Sequence, residues 1–222
     1  MKNHWPIPVL VVLGGMVLGA CAATGDQKLT SSLPRVEVKQ YEGQDLSSVD
    51  DFRENSIKGV QTVSLDGYML KLTGLVDKPL ALTYEQVLAH DAYSKVVTLH
   101  CVEGWDATIL WEGVLIDDLL KEAQVQDTAV IAIFHAADGY TSSLPVAYLR
   151  DKQILLAYKM NGVDVPPERG FPFVVVAEAK WGYKWVKWVT EIELSNDPTY
   201  KGYWESFGYS NNGDLDQPFL EP

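Results

Sequence analysis

The sequence predicts a single mixed α+β domain, rich in β-structure, that follows an apolar N-terminal segment. Many short runs of β-branched and aromatic residues are bounded by turn residues, and only two or three short helical patterns lie between them. A chain of 222 residues with 47% hydrophobic residues can form one substantial core. The formal net charge of −12 makes nucleic acid an unsuitable partner, because phosphate binding requires a basic surface.

The first twenty residues have the layout of a secretory signal, in which Lys2 precedes an apolar run from Ile7 to Leu18. The sequence Leu-Gly-Ala-Cys that ends at Cys21 resembles a bacterial lipobox, so cleavage would expose this cysteine for lipidation. An uncleaved membrane anchor is the alternative, since the run approaches the ~20 residues that span a bilayer. Both interpretations place the globular part in the cell envelope, outside the cytoplasm. With the lipid, it would be anchored to a membrane, on the outer membrane or the periplasmic side if the cell has an outer membrane.

Residues 21–48 are polar and show no apolar periodicity, which predicts a flexible tether. The predicted organisation is therefore a lipoprotein-type signal peptide at 1–20, a tether at 21–48 and one globular domain at 49–222.

Within the domain, apolar periodicity and turn residues define the elements in order. Residues 68–75 alternate as in a strand, and a short helix begins at Thr83, which stands at capping-box spacing from Gln86. The later predicted elements are a strand ending at 101, a strand at 108–111, a helix at 116–123, strands at 129–135, 140–144, 154–160 and 171–177, a long strand at 183–194 and a looped aromatic tail at 200–213.

Cys101 ends one of these strands, directly before a loop that Gly104 opens. A thiolate is the softest common protein ligand and also a nucleophile, whereas a free cysteine is often only a small buried hydrophobic residue. If Cys21 carries lipid, Cys101 has no disulfide partner in the mature protein. His100 points to the other face of a regular strand, so we expect it to be a hydrogen-bonding neighbour and not a second ligand.

Three lysines surround Trp181-Gly-Tyr in this acidic chain, at positions 180, 184 and 187. Ammonium groups beside aromatic rings suit an anionic cofactor with a phosphate and a flat heterocycle, although lysines on a strand more commonly face solvent. In a regular strand Lys184 and Lys187 would point to opposite faces, so only one of them could face a pocket.

Seven segments, in order and spread from about residue 55 to 213, together resemble the molybdopterin-binding domain of the sulfite oxidase family. They are Leu99-His-Cys-Val-Glu-Gly-Trp, Trp111-Glu-Gly-Val-Leu-Ile-Asp-Asp-Leu-Leu, Asp138-Gly-Tyr, Leu155-Leu-Ala-Tyr-Lys-Met-Asn-Gly, Gly170-Phe-Pro, Trp181-Gly-Tyr-Lys-Trp-Val-Lys-Trp-Val and Gly202-Tyr-Trp-Glu. The family includes the catalytic subunit of a periplasmic methionine sulfoxide reductase. The resemblance implies the mixed, β-rich fold of that family and a molybdenum-molybdopterin cofactor.

The resemblance also implies roles for individual residues. Cys101 matches the thiolate ligand of molybdenum, and Tyr209 matches an active-site tyrosine. The cofactor-binding positions are Asn55, Arg169, Trp185, Val186 and Lys187, of which the last three match the segment that holds the pterin and its phosphate, so Lys187 is preferred over Lys184.

Two departures from the family pattern favour a reductase of the sulfoxide or N-oxide type over a sulfite oxidase. Val174 stands where the family usually has an arginine, and Arg169 could compensate for it from nearby. The arginines that bind sulfite are not evident, and Glu103 places an acid after the cysteine, where it would repel a dianion.

The predicted function is thus that of an exported, lipid-anchored molybdenum oxidoreductase that transfers an oxo group to or from a small substrate. With no haem or iron–sulfur cysteine motif in the sequence, electrons would be exchanged with a separate cytochrome or membrane quinone-linked protein. Two alternatives remain open: an enzyme in which Cys101 is a nucleophile near a histidine, and a non-catalytic binding lipoprotein that keeps the fold.

Overall fold

The computed structural model describes Met1 and residues 36–221. Twelve strands and three α-helices lie in this part of the chain. Their bounds are β1 Gln40–Tyr41, β2 Gln44–Asp45, β3 Leu70–Gly74, β4 Leu80–Leu82, α1 Tyr84–Leu88, β5 Ala92–His100, β6 Asp106–Leu115, α2 Ile116–Glu122, β7 Ile131–Ala136, β8 Thr141–Pro145, α3 Val146–Asp151, β9 Leu155–Met160, β10 Val163–Asp164, β11 Val174–Val176 and β12 Val189–Ser195. Short 3-10 helices span Pro167–Arg169, Gly182–Lys184 and Glu205–Phe207.

Two five-stranded sheets organise the domain. The first has the order β10-β9-β6-β5, with β11 also paired to β9, and every pairing in it is antiparallel. The second has the order β4-β3-β12-β7-β8, in which only β12 and β3 run parallel. This mixture of sheets with a few short helices confirms the predicted β-rich α+β class.

Apolar side chains from both sheets and from α1, α2 and α3 form one buried cluster. Trp111, Phe134 and Phe173 are among its largest members, each no more than 2% exposed. Burial of one such side chain stabilises the fold by roughly 1.5–3 kcal/mol, so the cluster is the main source of stability.

Several predicted elements are confirmed. The Leu70–Gly74 strand lies within the predicted range, and α1 carries the predicted capping box, in which Thr83 Oγ1 accepts from the Gln86 backbone N–H and the Thr83 N–H donates to Gln86 Oε1. The strands that precede Cys101 and Asn161 also lie close to their predicted ranges.

The long strand predicted at residues 183–194 is wrong over its first half. Residues 182–184 form a 3-10 helix, Trp188 has a left-handed backbone with φ of 56°, and the strand begins only at Val189. The side chains at 183–186 are all buried and only Lys187 among residues 183–189 is partly exposed, so the apparent alternation did not separate a core face from a solvent face.

Residues 36–48, the last part of the predicted tether, contact the domain. The Val38 N–H donates to the Asn161 carbonyl and the Ser47 N–H donates to that of Thr108, both at 2.9 Å. The Glu37 carboxylate accepts from the Val49 N–H at 3.0 Å, and Val49 itself is fully buried. The predicted signal peptide and Cys21 lie outside the described residues. No helix within the described residues is long and apolar enough to cross a membrane.

The fold brings the end of β5 against the segment that contains the central lysines. A parallel bridge joins His100 to Trp181. Gly182 allows this approach, because a Cβ there would lie 3.2 Å from the His100 carbonyl oxygen and 3.6 Å from Cys101 Cα. The thiol and the residue run 182–188 therefore share one wall of a cavity.

Candidate active site

A cavity of about 360 Å³ lies where the loop after β5, the run 182–188 and the aromatic tail meet. Six of the residues predicted for the site line it, namely Asn55, Cys101, Arg169, Trp185, Lys187 and Tyr209. Val186 does not line it; its side chain is fully buried, and its carbonyl accepts from the Val175 N–H at 2.9 Å. The structure thus brings six predicted residues that are far apart in sequence into one pocket. The Val186 side chain is buried away from this pocket.

Cys101 is held at the cavity by a tight turn. Its N–H donates to the Trp105 carbonyl at 2.9 Å, its carbonyl accepts from Gly104 at 3.0 Å, and Gly104 has a φ of +84°. Burial raises the pKa of the Cys101 thiol, while hydrogen bonds from the Glu103 backbone and from Asn55 Nδ2, 3.6 Å from Sγ, lower it. A thiol with a raised pKa is a poor nucleophile by itself, but a coordinated metal deprotonates such a thiol outright.

His100 and His135 do not line the cavity and have acidic partners elsewhere. His100 Nδ1 lies 2.7 Å from Asp106 Oδ1, and His135 Nε2 lies 2.9 Å from Glu193 Oε2. Among the described residues no histidine hydrogen-bonds the Cys101 thiol, so the described part of the chain contains no assembled Cys–His pair. It also contains no group of three or more His, Cys, Asp or Glu side chains that could hold a metal ion.

Three cations line the cavity: Arg53, which pairs with Glu103, and Arg169 and Lys187. Arg169 donates to the carbonyls of Val49 and Phe52, at 2.6 Å each, and its guanidinium lies 3.9 Å from the Phe52 ring centroid. Lys187 Nζ lies 2.7 Å from Glu54 Oε1 and 4.3 Å from the Trp188 ring centroid. Burial lowers the pKa of Lys187, and the hydrogen bond to Glu54 opposes that shift.

Lys184, by contrast, does not line the cavity. Its side chain and that of Glu205 are both fully buried, with Nζ 2.7 Å from Oε1. The same ammonium donates to the Asn211 carbonyl at 2.9 Å, and the Ser142 hydroxyl donates to the same carboxylate oxygen at 2.5 Å. This pair joins the 182–184 turn to the tail that carries the cavity tyrosine.

Val174, which stands where an arginine was expected, lies in β11 and is 2% exposed. Gly170 sits between it and Lys187, since a Cβ at Gly170 would lie 2.7 Å from Val174 Cγ2 and 2.8 Å from Lys187 Cβ. Arg169, the residue before Gly170, and Val174 both line the cavity.

Aromatic rings from the C-terminal tail and from the 182–188 run also line the cavity. The Tyr209 ring packs edge-on against Tyr183 at 5.1 Å and lies 5.3 Å from Trp204, which is 37% exposed. The Tyr183 hydroxyl donates to the Ser210 carbonyl at 2.7 Å. This rim is apolar, with phenol hydroxyls as its polar groups.

Sequence reasoning missed several residues of the site. Trp105, which lines the cavity and lies 5.6 Å from the Phe52 ring, was part of a recognised motif and could have been noticed there. Glu54, which pairs with Lys187, is 133 residues away from it and follows no pattern that would reveal the contact.

The sequence matches the family model of the oxidoreductase molybdopterin binding domain over residues 57–204. The chain belongs to this family. It is 36% identical over 146 residues to the uncharacterized oxidoreductase YuiH of Bacillus subtilis (strain 168), covering 65% of this chain and 73% of that protein. It is 27% identical over 212 residues to the protein-methionine-sulfoxide reductase catalytic subunit MsrP of Gluconobacter oxydans (strain 621H), covering 82% and 67% of the two chains.

Among solved structures, the sulfane dehydrogenase SoxCD from Paracoccus pantotrophus has a similar fold. The TM-score is 0.63 at 22% sequence identity, and the match covers 83% of this chain and 56% of that one. This likeness supports the predicted fold alone.

The chain is accordingly a molybdopterin-dependent oxidoreductase, and its cofactor is molybdenum-molybdopterin. The residues present fit such a group. A single buried thiol faces a cavity of about 360 Å³ that is also lined by three cations and several aromatic rings, which suits a soft metal, a phosphate and a flat heterocycle.

Proposed function

We propose that this protein is an exported, lipid-anchored oxidoreductase that removes oxygen from small sulfoxides or N-oxides. For a sulfoxide the balanced reaction is R₂S=O + 2e⁻ + 2H⁺ → R₂S + H₂O. The observation that carries the proposal is the arrangement of one thiol, three cations and an aromatic rim around a single cavity.

Each part of the cavity would have its own role in holding the cofactor. Cys101 would supply the single protein thiolate to molybdenum, and Lys187 and Arg169 would bind the phosphate. Trp185 would pack on the pterin, and Val186 could contribute only backbone atoms, because its side chain lies in the core. Asn55 would hold the thiolate in place through its amide. When bound, the cofactor supplies the two-electron exchange of an oxo group, while the protein supplies orientation and electrostatics.

The charges and the aromatic rim of the cavity favour a neutral oxide as substrate over a sulfite dianion. Arg53, the cation close to the thiol, lies 3.0 Å from Glu103, so its charge is already offset. A dianion would also meet the Glu103 carboxylate near the cysteine. A sulfoxide is neutral and dipolar: its oxygen could accept a hydrogen bond from Tyr209, and its sulfur and alkyl groups would contact aromatic rings favourably.

Electrons would arrive from a separate one-electron carrier, such as a cytochrome or a quinone-linked membrane protein. The chain has only two cysteines, Cys21 and Cys101, too few for an iron–sulfur cluster of its own. A relative that is named a subunit supports the same arrangement: the putative protein-methionine-sulfoxide reductase subunit YedZ1 of Azospira oryzae is 28% identical over 219 residues, covering 90% of this chain and 83% of that protein. The lipid on Cys21 would keep the enzyme at the membrane.

The test begins with protein purified from a host that makes and inserts the cofactor. We expect the wild type to contain molybdenum and pterin, and to reduce methionine sulfoxide or trimethylamine N-oxide with a reduced viologen dye faster than it oxidises sulfite with ferricyanide. Cys101→Ala should lose turnover. A wild type without molybdenum would support the non-catalytic binding protein instead, and faster sulfite oxidation would reverse the proposed direction.

Cys21→Ser is the matched control, because it changes the only other cysteine in the chain. We expect it to release the protein from the membrane fraction while turnover and molybdenum content stay as in the wild type. A Cys21→Ser protein that remains membrane-bound would contradict the lipid anchor and leave the proposed chemistry untouched.

A further inference from the structure

One wall of the cavity is a segment with little main-chain support. Residues 49–58, which we call the strap, supply Phe52, Arg53, Asn55, Ser56 and Ile57 to the lining. The Asp51 N–H donates to the Ser48 carbonyl at 3.2 Å, but within the described chain no main-chain hydrogen bond to other main-chain groups is made by residues 52–64. Segments of this kind open at low free-energy cost compared with strands of a sheet.

Side chains of the cavity hold the strap in place. Arg169 donates to the carbonyls of Val49 and Phe52. Lys187 pairs with the carboxylate of Glu54 at 2.7 Å. Asn55 of the strap in turn donates to Cys101 Sγ. The groups that hold the strap are thus the same groups that are proposed to hold the cofactor.

The Glu54–Lys187 contact makes these two uses compete. A carboxylate at 2.7 Å takes one of the three N–H donors of the ammonium and offsets its charge, and its negative charge repels an incoming phosphate. The Glu54 and Lys187 side chains are 25% and 20% exposed, so water can reach the pair and an incoming anion can replace the glutamate beside the ammonium.

We propose that Glu54 is a positioning residue for cofactor loading: its carboxylate occupies Lys187 until the phosphate of the cofactor takes over that ammonium, and the exchange releases the strap from this contact. The inference rests on the role proposed for Lys187 above. In the cofactor-free protein the glutamate keeps the lysine side chain directed into the cavity. It also lowers the apparent affinity for anions, because only molecules with a displaced carboxylate can bind them.

The test uses full-length apoprotein and inorganic phosphate as the probe, followed by chemical-shift titration and by hydrogen exchange of the strap amides. Glu54→Gln should bind phosphate roughly two- to fivefold more tightly than the wild type, the range expected for loss of one partly exposed ion pair. Strap amides in the wild type should exchange faster with phosphate present, and those of Glu54→Gln should exchange faster even without it.

Asp51→Asn is the matched control, since it removes the same charge from an exposed position of the same segment. It should behave as the wild type in both measurements. Equal or weaker phosphate binding by Glu54→Gln, including no detectable binding, overturns the proposal, as does strap exchange that does not respond to phosphate.

Lys187→Met separates this inference from the proposed function. Introduced into the wild type or into Glu54→Gln, this substitution should abolish phosphate binding and the response of strap exchange to phosphate. If phosphate binds Lys187→Met as well as the wild type, the assignment of Lys187 fails and the loading role of Glu54 fails with it. If instead the wild-type protein purified from a cofactor-producing host contains no molybdenum, the proposed function fails whatever the phosphate titration shows.

Discussion

Lys184 and Lys187 lie three residues apart, and each pairs with a glutamate at 2.7 Å, yet the two ion pairs differ in almost every other respect. The Lys184–Glu205 pair is fully buried, whereas Lys187 and Glu54 are 20% and 25% exposed. The buried pair has further partners in Ser142 and Asn211. The Lys187–Glu54 pair is only partly buried, and it joins a cavity residue to a segment with few main-chain hydrogen bonds.

The comparison shows how burial separates structural from exchangeable ion pairs. Burial lowers the pKa of Lys184, and the charge of Glu205 opposes that shift, so each charge depends on the other to remain inside the protein. Water can replace either partner of the Lys187–Glu54 pair, so this lysine can accept another anion. The first pair therefore stabilises the cavity wall, and the second is available for binding.

The largest expected effect comes from breaking the buried pair. Lys184→Met or Glu205→Leu alone should lower the free energy of unfolding by about 3–5 kcal/mol, because each leaves an uncompensated buried charge. The double variant should recover most of that loss, since an apolar pair of similar volume removes both charges. Urea denaturation of the three variants measures this, and a double variant as unstable as the sum of the singles would contradict it.

Two glycines, each packed against the aliphatic part of one of these lysine side chains, allow the two lysines to be compared directly. A Cβ at Gly213, where φ is +63°, would lie 2.6 Å from Lys184 Cγ, and a Cβ at Gly170, where φ is +115°, would lie 2.8 Å from Lys187 Cβ. Each change to alanine should lower the free energy of unfolding by about 1–3 kcal/mol. Only Gly170→Ala should also weaken phosphate binding, and an equal loss of phosphate binding in both would erase the distinction.

Removing the partly buried Lys187 should separate cofactor binding from stability. Lys187→Met should change the free energy of unfolding by less than about 1 kcal/mol, as for other partly exposed pairs. It should lower cofactor affinity by roughly tenfold or more, since it removes a charge-assisted hydrogen bond to phosphate. Molybdenum content after loading, measured beside urea denaturation, checks both halves. Full molybdenum content in a stable variant would argue against the assignment.

The smallest effect concerns the attachment of the strap at its N-terminal end. Burial raises the pKa of Glu37, but hydrogen bonds from the Val49 N–H, the Ser48 hydroxyl and the Asn161 amide outweigh it, so the net pKa is lowered. A carboxyl whose pKa is lower in the folded protein adds stability above its unfolded pKa, and that stability is lost as the pH falls through the folded value. Glu37→Gln should therefore cost of order 1 kcal/mol at pH 7 and less at pH 3.5. A cost that grows on acidification would have the wrong sign.

The sequence was a good guide where local pattern and motif order agree. A β-branched run predicted the strand that ends at Cys101, and the ordered motifs predicted the family, its cofactor and the fold. The strand prediction was wrong at residues 183–188. Tyr183, Trp185 and Trp188 each bury an aromatic ring there, so no solvent-facing side exists to produce a true apolar–polar alternation. The ion pairs join residues 21 and 133 positions apart, so only the folded chain reveals which lysine is buried and which faces the cavity.

The bridge between His100 and Trp181, with Gly182 packed on the Cys101 backbone, has a consequence for affinity. The thiol and the 182–188 run belong to one body, so their separation is set before any cofactor arrives. Cofactor binding therefore costs no conformational entropy for arranging the Cys101 thiol and the 182–188 run relative to each other. Any rearrangement falls instead on residues 49–58, whose contact with Lys187 is proposed to be released on binding. Substitutions in this segment can therefore alter loading without moving the Cys101 thiol.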